Sequence, residues 1–291
     1  MKDYVIVTDS TTDLPIEFAN HHNLIVLPLG FLDEKGKEYK NTLDHHDMPI
    51  KEFYNQMRKG ATFKTNQVNV QTYQNLFEQI VKEGKDIIVI SFSSGLSGSF
   101  NSACVAKNML EEEYPEAKIR VIDSLCASLG EGLLVYYAIK AKEEGKNYQE
   151  LVDYLENLKH NISHWFTVDD IDTLKRGGRL SGATAFVAKT LKIKPVLYVS
   201  EEGKLVARTK KIGRKNALNE IVEKLVSMYD KNHNDIIFIS HGDCIEDVNY
   251  VKTKITEKTG INNFLINEVG PVIGSHAGPG VLAIFFVSEG R

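Results

Sequence analysis

Residues 91–100 contain the residue types best suited to binding an anion. Their sequence, SFSSGLSGSF, holds five serine hydroxyls and two glycines. The run follows an apolar stretch typical of a strand, residues 86–91, and precedes a stretch typical of a helix. Glycines let backbone N–H groups turn inward, hydroxyls add donors, and the start of a helix adds partial positive charge. The composition therefore predicts an oxyanion site in this segment, which we call the serine loop.

Two familiar motifs do not fit the serine loop. A phosphate-binding P-loop needs Lys after its last glycine, but Gly98 is followed by Ser99. A nucleophile elbow needs glycine two places after the serine, and Ser99 occupies that place after Ser97. Simple capping of the following helix by Ser97 or Ser99 stays open as an alternative.

Three further polar segments lie at strand ends, where open α/β sheets place ligands. The first contains Asp9 and Ser10, which either contact a ligand or cap a helix and shape a turn. The second, residues 64–67, is a weak pattern alone, and a plain loop is its default structure. The third, residues 270–280, surrounds His276 with four glycines and two prolines. A side chain that only fills a core does not need such surroundings, so we expect His276 to contact a ligand.

Other histidines and basic residues are less informative. Residues 44–47, DHHD, could ligate a metal but more readily form a solvated turn before a helix, so we predict no metal site. His241 follows a strand and is expected to brace a polar loop. The basic residues at 175–179 and 208–215 form either a face for phosphate or an acidic partner, or a solvated surface.

The elements around these segments indicate an α/β protein, because short β-branched runs alternate with helical patterns along the chain. The predicted strands are 4–8, 86–91, 119–122, 165–168, 195–199, 205–207, 235–240 and 263–266, and the predicted helices are 48–59, 97–113, 129–144, 148–159, 215–229 and 245–258. Residues 201–204 predict a hairpin turn with glycine at positive φ.

We place a domain boundary near His160. It separates an N-terminal α/β domain, 1–160, which contains the hydroxyl-rich loops, from a C-terminal one, 161–291, which contains the glycine-rich loop of His276. Both domains are expected to have largely parallel sheets. No Pro- or Ser-rich linker marks the boundary, so the two halves should share a tight interface.

The composition narrows the class of protein. The 291 residues are 42% hydrophobic and 25% charged, which is typical of a soluble globular protein, and the net charge of −4 does not favour nucleic-acid binding. Three scattered cysteines indicate a reduced, cytoplasmic protein rather than a disulfide scaffold. We expect no signal peptide, and the longest apolar run, 281–287, is too short to span a membrane.

The polar segments, in this order, resemble the DegV family of bacterial fatty-acid-binding proteins over nearly the whole chain. The resembling stretches are TDST at 8–11 with DLP at 13–15, TNQ at 65–67, SSGLSGS at 93–99, VDD at 168–170 with LKRGGR at 174–179, KP at 194–195, and GPV at 270–272 with His276 and GPG at 278–280. The resemblance implies two α/β domains with a long-chain fatty acid buried between them. It implies no cofactor and no catalysis by the chain itself.

The resemblance also implies roles for individual residues. In the family's pattern a Thr and a Ser hold the carboxylate, which points to Thr65 and Ser94, with Ser93 as the alternative. His276 would neutralise or hydrogen-bond the same head group. The remaining candidates are Ser97 and Gly95 for the carboxylate, and Asp9, Ser10, Asn66, Gly274 and Ser275 in a second tier.

The resemblance implies partners as well. Arg179, together with Arg176, would face a fatty acid kinase with a dihydroxyacetone-kinase-like domain, which phosphorylates the bound acid to an acyl phosphate for phospholipid metabolism. An acyltransferase and peripheral contact with a membrane are further implied partners.

The sequence departs from the family pattern at two places. The second loop usually reads TSQPS, and Asn66, Val68 and Asn69 replace its Ser, Pro and last Ser. An Arg common before the later Gly-Arg-Lys is Ile212 here. These replacements put the path of the second loop, and a head-group contact from that Arg, in question.

Two other functions stay open. A serine hydrolase or esterase would use Ser94 or Ser97 as the nucleophile and His276 as the base. A dihydroxyacetone-kinase-like substrate-binding component would hold its substrate through His276. For the fatty acid, residues 186–187 and 282–286 are candidate lining segments, because an apolar tail supplies affinity while neutral hydroxyls satisfy its carboxylate.

Overall fold

The structure of this chain is a computed structural model, and it describes residues 3–182 and 192–291. The described strands are β1 (Tyr4–Asp9), β2 (Ile25–Leu27), β3 (Leu29–Leu32), β4 (Glu38–Asn41), β5 (Lys64–Asn66), β6 (Asp86–Ser91), β7 (Ile119–Asp123), β8 (Ile162–Thr167), β9 (Leu180–Ser181), β10 (Ile193–Val199), β11 (Leu205–Ile212), β12 (Ile237–His241), β13 (Phe264–Glu268) and β14 (Leu282–Val287). The described helices are α1 (Ile16–His21), α2 (Ile50–Arg58), α3 (Val70–Lys82), α4 (Ser99–Glu113), α5 (Leu129–Glu143), α6 (Tyr148–Leu158), α7 (Ile171–Arg176), α8 (Arg214–Met228), α9 (Ile245–Thr259) and α10 (Pro271–Ala277).

The N-terminal part contains a four-stranded parallel sheet in the order β2-β1-β6-β7. Every residue of β6 is buried, which explains its continuous apolar sequence, since a parallel strand is covered on both faces. This sheet has the parallel arrangement that the sequence predicts, and its β6 ends at the serine loop.

A seven-stranded sheet contains every described strand after residue 161, in the order β13-β12-β14-β8-β10-β11-β9. It is mixed, because only the outer pairs β12–β13 and β11–β9 are parallel, so the expectation of largely parallel strands is wrong for this sheet. One cause is the tight turn between β10 and β11, where Gly203 has a φ of 71°, as predicted for this hairpin. The domain boundary near His160 is compatible with this division of strands and stays a prediction.

Two segments that read as loops are regular elements. Thr65 lies on β5, which pairs with β3 in a small antiparallel sheet ordered β4-β3-β5. His276 lies in the last turn of α10, which begins with Pro271 at its first position, where a missing N–H costs nothing. Both elements are short and polar or glycine-rich, so their local sequence does not indicate them.

The two halves share one apolar core around α5. The buried residues of this helix, including Leu133, pack in one cluster with Ile88 of β6 and Phe285 of β14. A helix that is apolar on all sides is expected in such a fully buried position. Helix α10 in turn packs against α2, β3 and β5, so the histidine-bearing helix of the second half rests on the first. In the part of the chain that the structure describes, no helix is long and apolar enough to cross a bilayer.

Candidate functional site

A largely apolar cavity lies where the serine loop, β5, α10 and the seven-stranded sheet meet. Its volume is about 140 Å³, whereas one water molecule needs about 15 Å³ on the same measure. Its apolar lining consists of Leu29, Phe92, Leu96, Ala127, Phe166, Leu174, Val199, Leu205, Val269, Val272, Ile273, Ala277, Val281 and Ala283. The space therefore suits an apolar group better than a polar metabolite.

Three sequence-predicted residues line this cavity, and two of them are in contact. Thr65 Oγ1 lies 2.8 Å from His276 Nε2, although the two residues are 211 positions apart. Ser97 lines the same cavity, as does Asn66 from the second tier. We call Thr65, Ser97 and His276 the polar cluster.

The imidazole of His276 is electrically neutral at ordinary pH. Burial, and then the nearby charge of Arg179, lower the pKa of His276 to about 4. Its Nδ1 is buried without a hydrogen-bond partner in the described part of the chain and faces Gly177, where a Cβ atom would come within 2.2 Å of it. His276 can therefore hydrogen-bond a ligand beside Thr65 without supplying a buried positive charge of its own.

Arg179 is half-buried and lies in the cavity wall. Its Nε donates to the carbonyl oxygen of Leu96 at 3.2 Å, and its Nη1 donates to that of Gly177 at 2.6 Å. The guanidinium thus ties the serine loop to the segment after α7 and places a positive charge beside His276. The exposed residue of this predicted pair is Arg176, whose Nη2 donates to Thr173 Oγ1 at 3.2 Å.

A second, wider cleft of about 780 Å³ shares part of its wall with the apolar cavity. Thr65, His276 and Arg179 line both spaces. The cleft also contains the charged residues Arg176 and Asp170, and it is more open to solvent. A head group held by the polar cluster would therefore lie at the border between an apolar interior and an open polar cleft.

Ser97 is oriented by its neighbours in the serine loop. Its Oγ accepts a hydrogen bond from the backbone N–H of Ser99 at 3.2 Å and lies 3.1 Å from Ser99 Oγ. Ser99 Oγ accepts from the backbone N–H of Val68 at 3.2 Å. Val68 replaces the proline of the family pattern, and proline has no N–H to donate. Asn69 caps α3 by accepting from the N–H of Thr72, so the altered loop retains a defined path.

The structure places the other candidate residues of the serine loop outside the apolar cavity. Ser94 is exposed, and its backbone N–H donates to Asp123. Ser93 is buried and donates to the carbonyl oxygen of Gly203 at 2.8 Å. At Gly95 a Cβ atom would come within 2.9 Å of a carbonyl oxygen in the same hairpin turn. Ser93 and Gly95 therefore hold the loop against the β10–β11 turn rather than lining the cavity.

The remaining second-tier residues support the site from outside the cavity. Asp9 accepts from the backbone N–H of Phe92 at 3.0 Å, and this bond positions the start of the serine loop. Ser10 Oγ accepts from the N–H of Leu29 at 3.0 Å. Gly274 has no Cβ atom, which leaves space for the rings of Phe53 and Tyr54. Ser275 Oγ donates a hydrogen bond to the carbonyl oxygen of Pro271 in the same helix.

The geometry does not supply a serine-protease-type relay. Within residues 3–182 and 192–291, no serine hydroxyl is hydrogen-bonded to His276, whose Nε2 contacts Thr65. Among these same residues, no carboxylate orients the Nδ1 of His276. The described residues also hold no group of three side chains able to ligate a metal, and His46 instead forms ion pairs with Asp44 and Asp47.

Apart from Gln67 of the second loop, sequence reasoning missed three polar residues in the cavity wall, Ser128, His164 and Ser240. No local sequence pattern indicates that Ser128 or His164 lines a cavity. Ser240 directly precedes His241, whose strand-end loop is expected only to brace the structure. Of the proposed lining segments, 282–286 contributes Ala283, whereas 186–187 lies outside the described residues. Ile212 is 75% exposed and is absent from the cavity wall, so the lost arginine leaves no gap there.

Comparison with known proteins agrees with this architecture. A family model described as "Uncharacterised protein, DegV family" matches residues 3–289. The chain belongs to the DegV family. A DegV domain-containing protein from Clostridium perfringens is 41% identical over 99% of both chains.

Solved DegV structures share the whole fold. One, from Thermus thermophilus and described by its fatty acid binding, is 29% identical with a TM-score of 0.87 and covers 98% of this chain and 99% of its own. Another, from Ruminococcus gnavus and refined with vaccenic acid, is 25% identical with a TM-score of 0.87 and covers 97% and 99%. The predicted α/β class and DegV fold are therefore confirmed.

Proposed function

We propose that this DegV protein binds a long-chain fatty acid, with the acyl chain in the apolar cavity and the carboxylate at the polar cluster. The observation that supports this most directly is the position of Thr65, Ser97 and His276 in the wall of a largely apolar cavity. The fatty acids bound by DegV neighbours from Thermus thermophilus and Ruminococcus gnavus agree with it.

The chemistry of the cavity suits this ligand. Each buried methylene contributes about 0.8 kcal/mol, so the tail supplies most of the affinity. A carboxylate removed from water needs several donors. The hydroxyls of Thr65 and Ser97 can donate to it, and the charge of Arg179 lies beside it. A direct test is mass spectrometry of the purified protein after denaturing extraction, with a co-purified fatty acid as the expected result. Protein that neither carries nor takes up a fatty acid would refute the proposal.

The head-group assignment predicts a specific pattern of mutant affinities. Thr65→Val and Ser97→Ala each remove a donor from a buried acceptor, so each should weaken fatty acid binding by about 1 to 3 kcal/mol. Ser94→Ala is the matched control and should leave affinity unchanged, because Ser94 is exposed outside the cavity. The measurement is competition against a fluorescent fatty acid. A loss in Ser94→Ala with none in Ser97→Ala would reverse the assignment.

We further propose that the head group is offered to a fatty acid kinase through the polar cleft. The kinase would transfer the γ-phosphoryl group of ATP to a carboxylate oxygen and release ADP, and the acyl phosphate would pass to an acyltransferase at a membrane surface. The exposed guanidinium of Arg176 lies in this cleft and is a suitable docking residue.

The docking role of Arg176 predicts a separation of binding from phosphorylation. Arg176→Ala should leave fatty acid affinity unchanged and slow acyl phosphate formation by a cognate kinase about tenfold, as expected when one interfacial charge is lost. Arg208→Ala, an exposed arginine outside the cleft, is the charge-matched control. Equal rates for the two variants, measured by hydroxylamine trapping of the acyl phosphate, would contradict the assignment.

A further inference from the structure

Arg291 joins three segments of the fold, although it does not line the apolar cavity itself. Its Nη1 donates to the carbonyl oxygens of Leu125 at 2.6 Å and Ser200 at 3.1 Å, and its Nη2 donates to that of Lys159 at 2.6 Å. Leu125 follows β7, Lys159 follows α6 and Ser200 follows β10. One guanidinium therefore connects segments from both halves of the chain, which its planar fork of donors allows and the single amine of lysine does not.

The segment after β7, residues 124–128, has an uncommon backbone path. Leu125 and Ser128 have φ values of 54° and 55°, in the left-handed region that residues other than glycine rarely adopt. Such a conformation persists only where surrounding contacts maintain it. Arg291 supplies contacts of this kind, because it donates to the Leu125 carbonyl oxygen and, at 3.1 Å, to Cys126 Sγ.

This segment is part of the candidate site. Ala127 and Ser128 line the apolar cavity. The carbonyl oxygen of Cys126 accepts a hydrogen bond from the backbone N–H of Ser93 at 3.2 Å, so the same segment also holds the serine loop. A shift of residues 124–128 would therefore change the cavity wall and the support of the serine loop together.

The β10–β11 turn, which Arg291 contacts through Ser200, borders the cavity as well. Val199 and Leu205, on either side of this turn, line the cavity. A Cβ atom at Gly203 would come within 3.0 Å of Leu125 Cα, so the turn packs directly on the uncommon backbone of residues 124–128. Arg291 thus bonds to both partners of this contact.

We propose that Arg291 is a positioning residue of the fatty acid site, which holds residues 124–128 against the β10–β11 turn and so fixes the shape of the cavity wall. The inference rests on the proposed fatty acid binding and adds to it a residue outside the cavity. Without the guanidinium, Leu125 loses a contact that maintains its conformation, and the wall at Ala127 is no longer preorganised. Loss of preorganisation lowers affinity even when no contact with the ligand is removed.

The first test measures stearic acid affinity by competition against a fluorescent fatty acid. Arg291→Ala should bind stearic acid about tenfold more weakly than wild-type protein, as expected when charge-assisted hydrogen bonds are lost. Arg120→Ala is the matched control and should retain wild-type affinity, because Arg120 is an exposed arginine of β7 that pairs with Glu156.

Chemical rescue separates positioning from general stability. Millimolar guanidinium chloride should restore affinity to Arg291→Ala, because the free ion can donate to the same carbonyl oxygens. Guanidinium weakens folded structure in general, so a recovery of affinity cannot come from overall stabilisation. Sodium chloride at the same concentration is the salt control and should restore nothing.

A second variant tests the role of the backbone at Leu125. Glycine adopts positive φ readily, so Leu125→Gly removes the need for outside support. In the Leu125→Gly background, Arg291→Ala should therefore reduce stearic acid affinity by a smaller factor than it does in the wild-type background. If Arg291→Ala does not fold, Arg291→Lys, which retains the charge without the fork, takes its place in this comparison.

Failure of this inference is distinct from failure of the proposed function. If the Arg291 variant binds stearic acid as tightly as wild-type protein and only its melting temperature falls, the positioning role is refuted and fatty acid binding stands. A loss of affinity that neither guanidinium nor Leu125→Gly reduces would refute it equally. If wild-type protein does not bind stearic acid or any other fatty acid, the proposed function itself fails.

Discussion

His276 differs from a surface histidine because its surroundings oppose the charged form. Burial is the larger cause and the charge of Arg179 the second, and together they bring its pKa to about 4. Gly177 closes off the Nδ1 side, so Nε2 is the atom that meets Thr65. In the proposed function, the contact of His276 with a ligand would therefore be a hydrogen bond from or to a neutral ring, and charge stabilisation of a bound carboxylate would come from Arg179.

The titration of His276 should reveal whether an anion enters the site. In the ligand-free protein its NMR titration should have its midpoint near pH 4, and a bound carboxylate should raise that midpoint, because an opposite charge favours the imidazolium. Comparison with His276→Gln assigns the signal. A ligand-free midpoint near 6.5, or a midpoint that fatty acid leaves unchanged, would contradict this account.

At the scale of elements, the sequence predicts those whose pattern is local. The apolar run at 86–91 is β6, and the helix predicted over 129–144 is α5 (Leu129–Glu143). Both segments consist mostly of apolar residues that are buried on all sides, so their local composition and length are sufficient to predict them. The polar segments at strand ends are likewise visible without any tertiary information.

The elements that the sequence does not predict depend on distant partners. Strand β5 has three polar residues and exists because it pairs with β3. Helix α10 contains an internal glycine, Gly274, which is unfavourable for an isolated helix, but the rings of Phe53 and Tyr54 leave no space for a Cβ atom there. Tertiary packing overrides local preference in both cases.

The candidate site, too, can be predicted only in part from the sequence. Thr65, Ser97 and His276 are recognisable as chemistry-bearing residues from sequence and family resemblance. The choice between Ser94 and Ser97, and the position of Arg179 in the cavity wall, depend on the path of the serine loop in three dimensions. Ser240 could not be chosen from the sequence, because only the tertiary fold places it in the cavity wall.

At the scale of the whole molecule, Asp13 joins segments that are far apart in sequence. Its carboxylate accepts from Gly270 ahead of α10 and from Ser128 ahead of α5, and its backbone oxygen accepts from Asn267 Nδ2 at 2.8 Å. This residue has a φ of 50°, an uncommon value outside glycine that the surrounding bonds maintain. The position of the histidine helix thus depends on a buried carboxylate of the other half.

This buried carboxylate should make the stability of the protein depend on pH. Burial, the largest cause, and the nearby charge of Asp9 raise the pKa of Asp13 from 3.8 to about 7. The folded state therefore binds more protons than the unfolded state between about pH 4 and 7, and the contribution of Asp13 to stability falls as pH rises through that range.

Relative to Asp13→Asn, wild-type protein should lose up to about 1.4 kcal/mol of unfolding free energy per pH unit between about pH 4 and 7. Urea denaturation at pH 4.5, 6 and 7.5 measures this difference, with the exposed Asp153→Asn as control. If the wild-type and Asp13→Asn free energies ran parallel over this range, Asp13 would not be titrating as its burial requires.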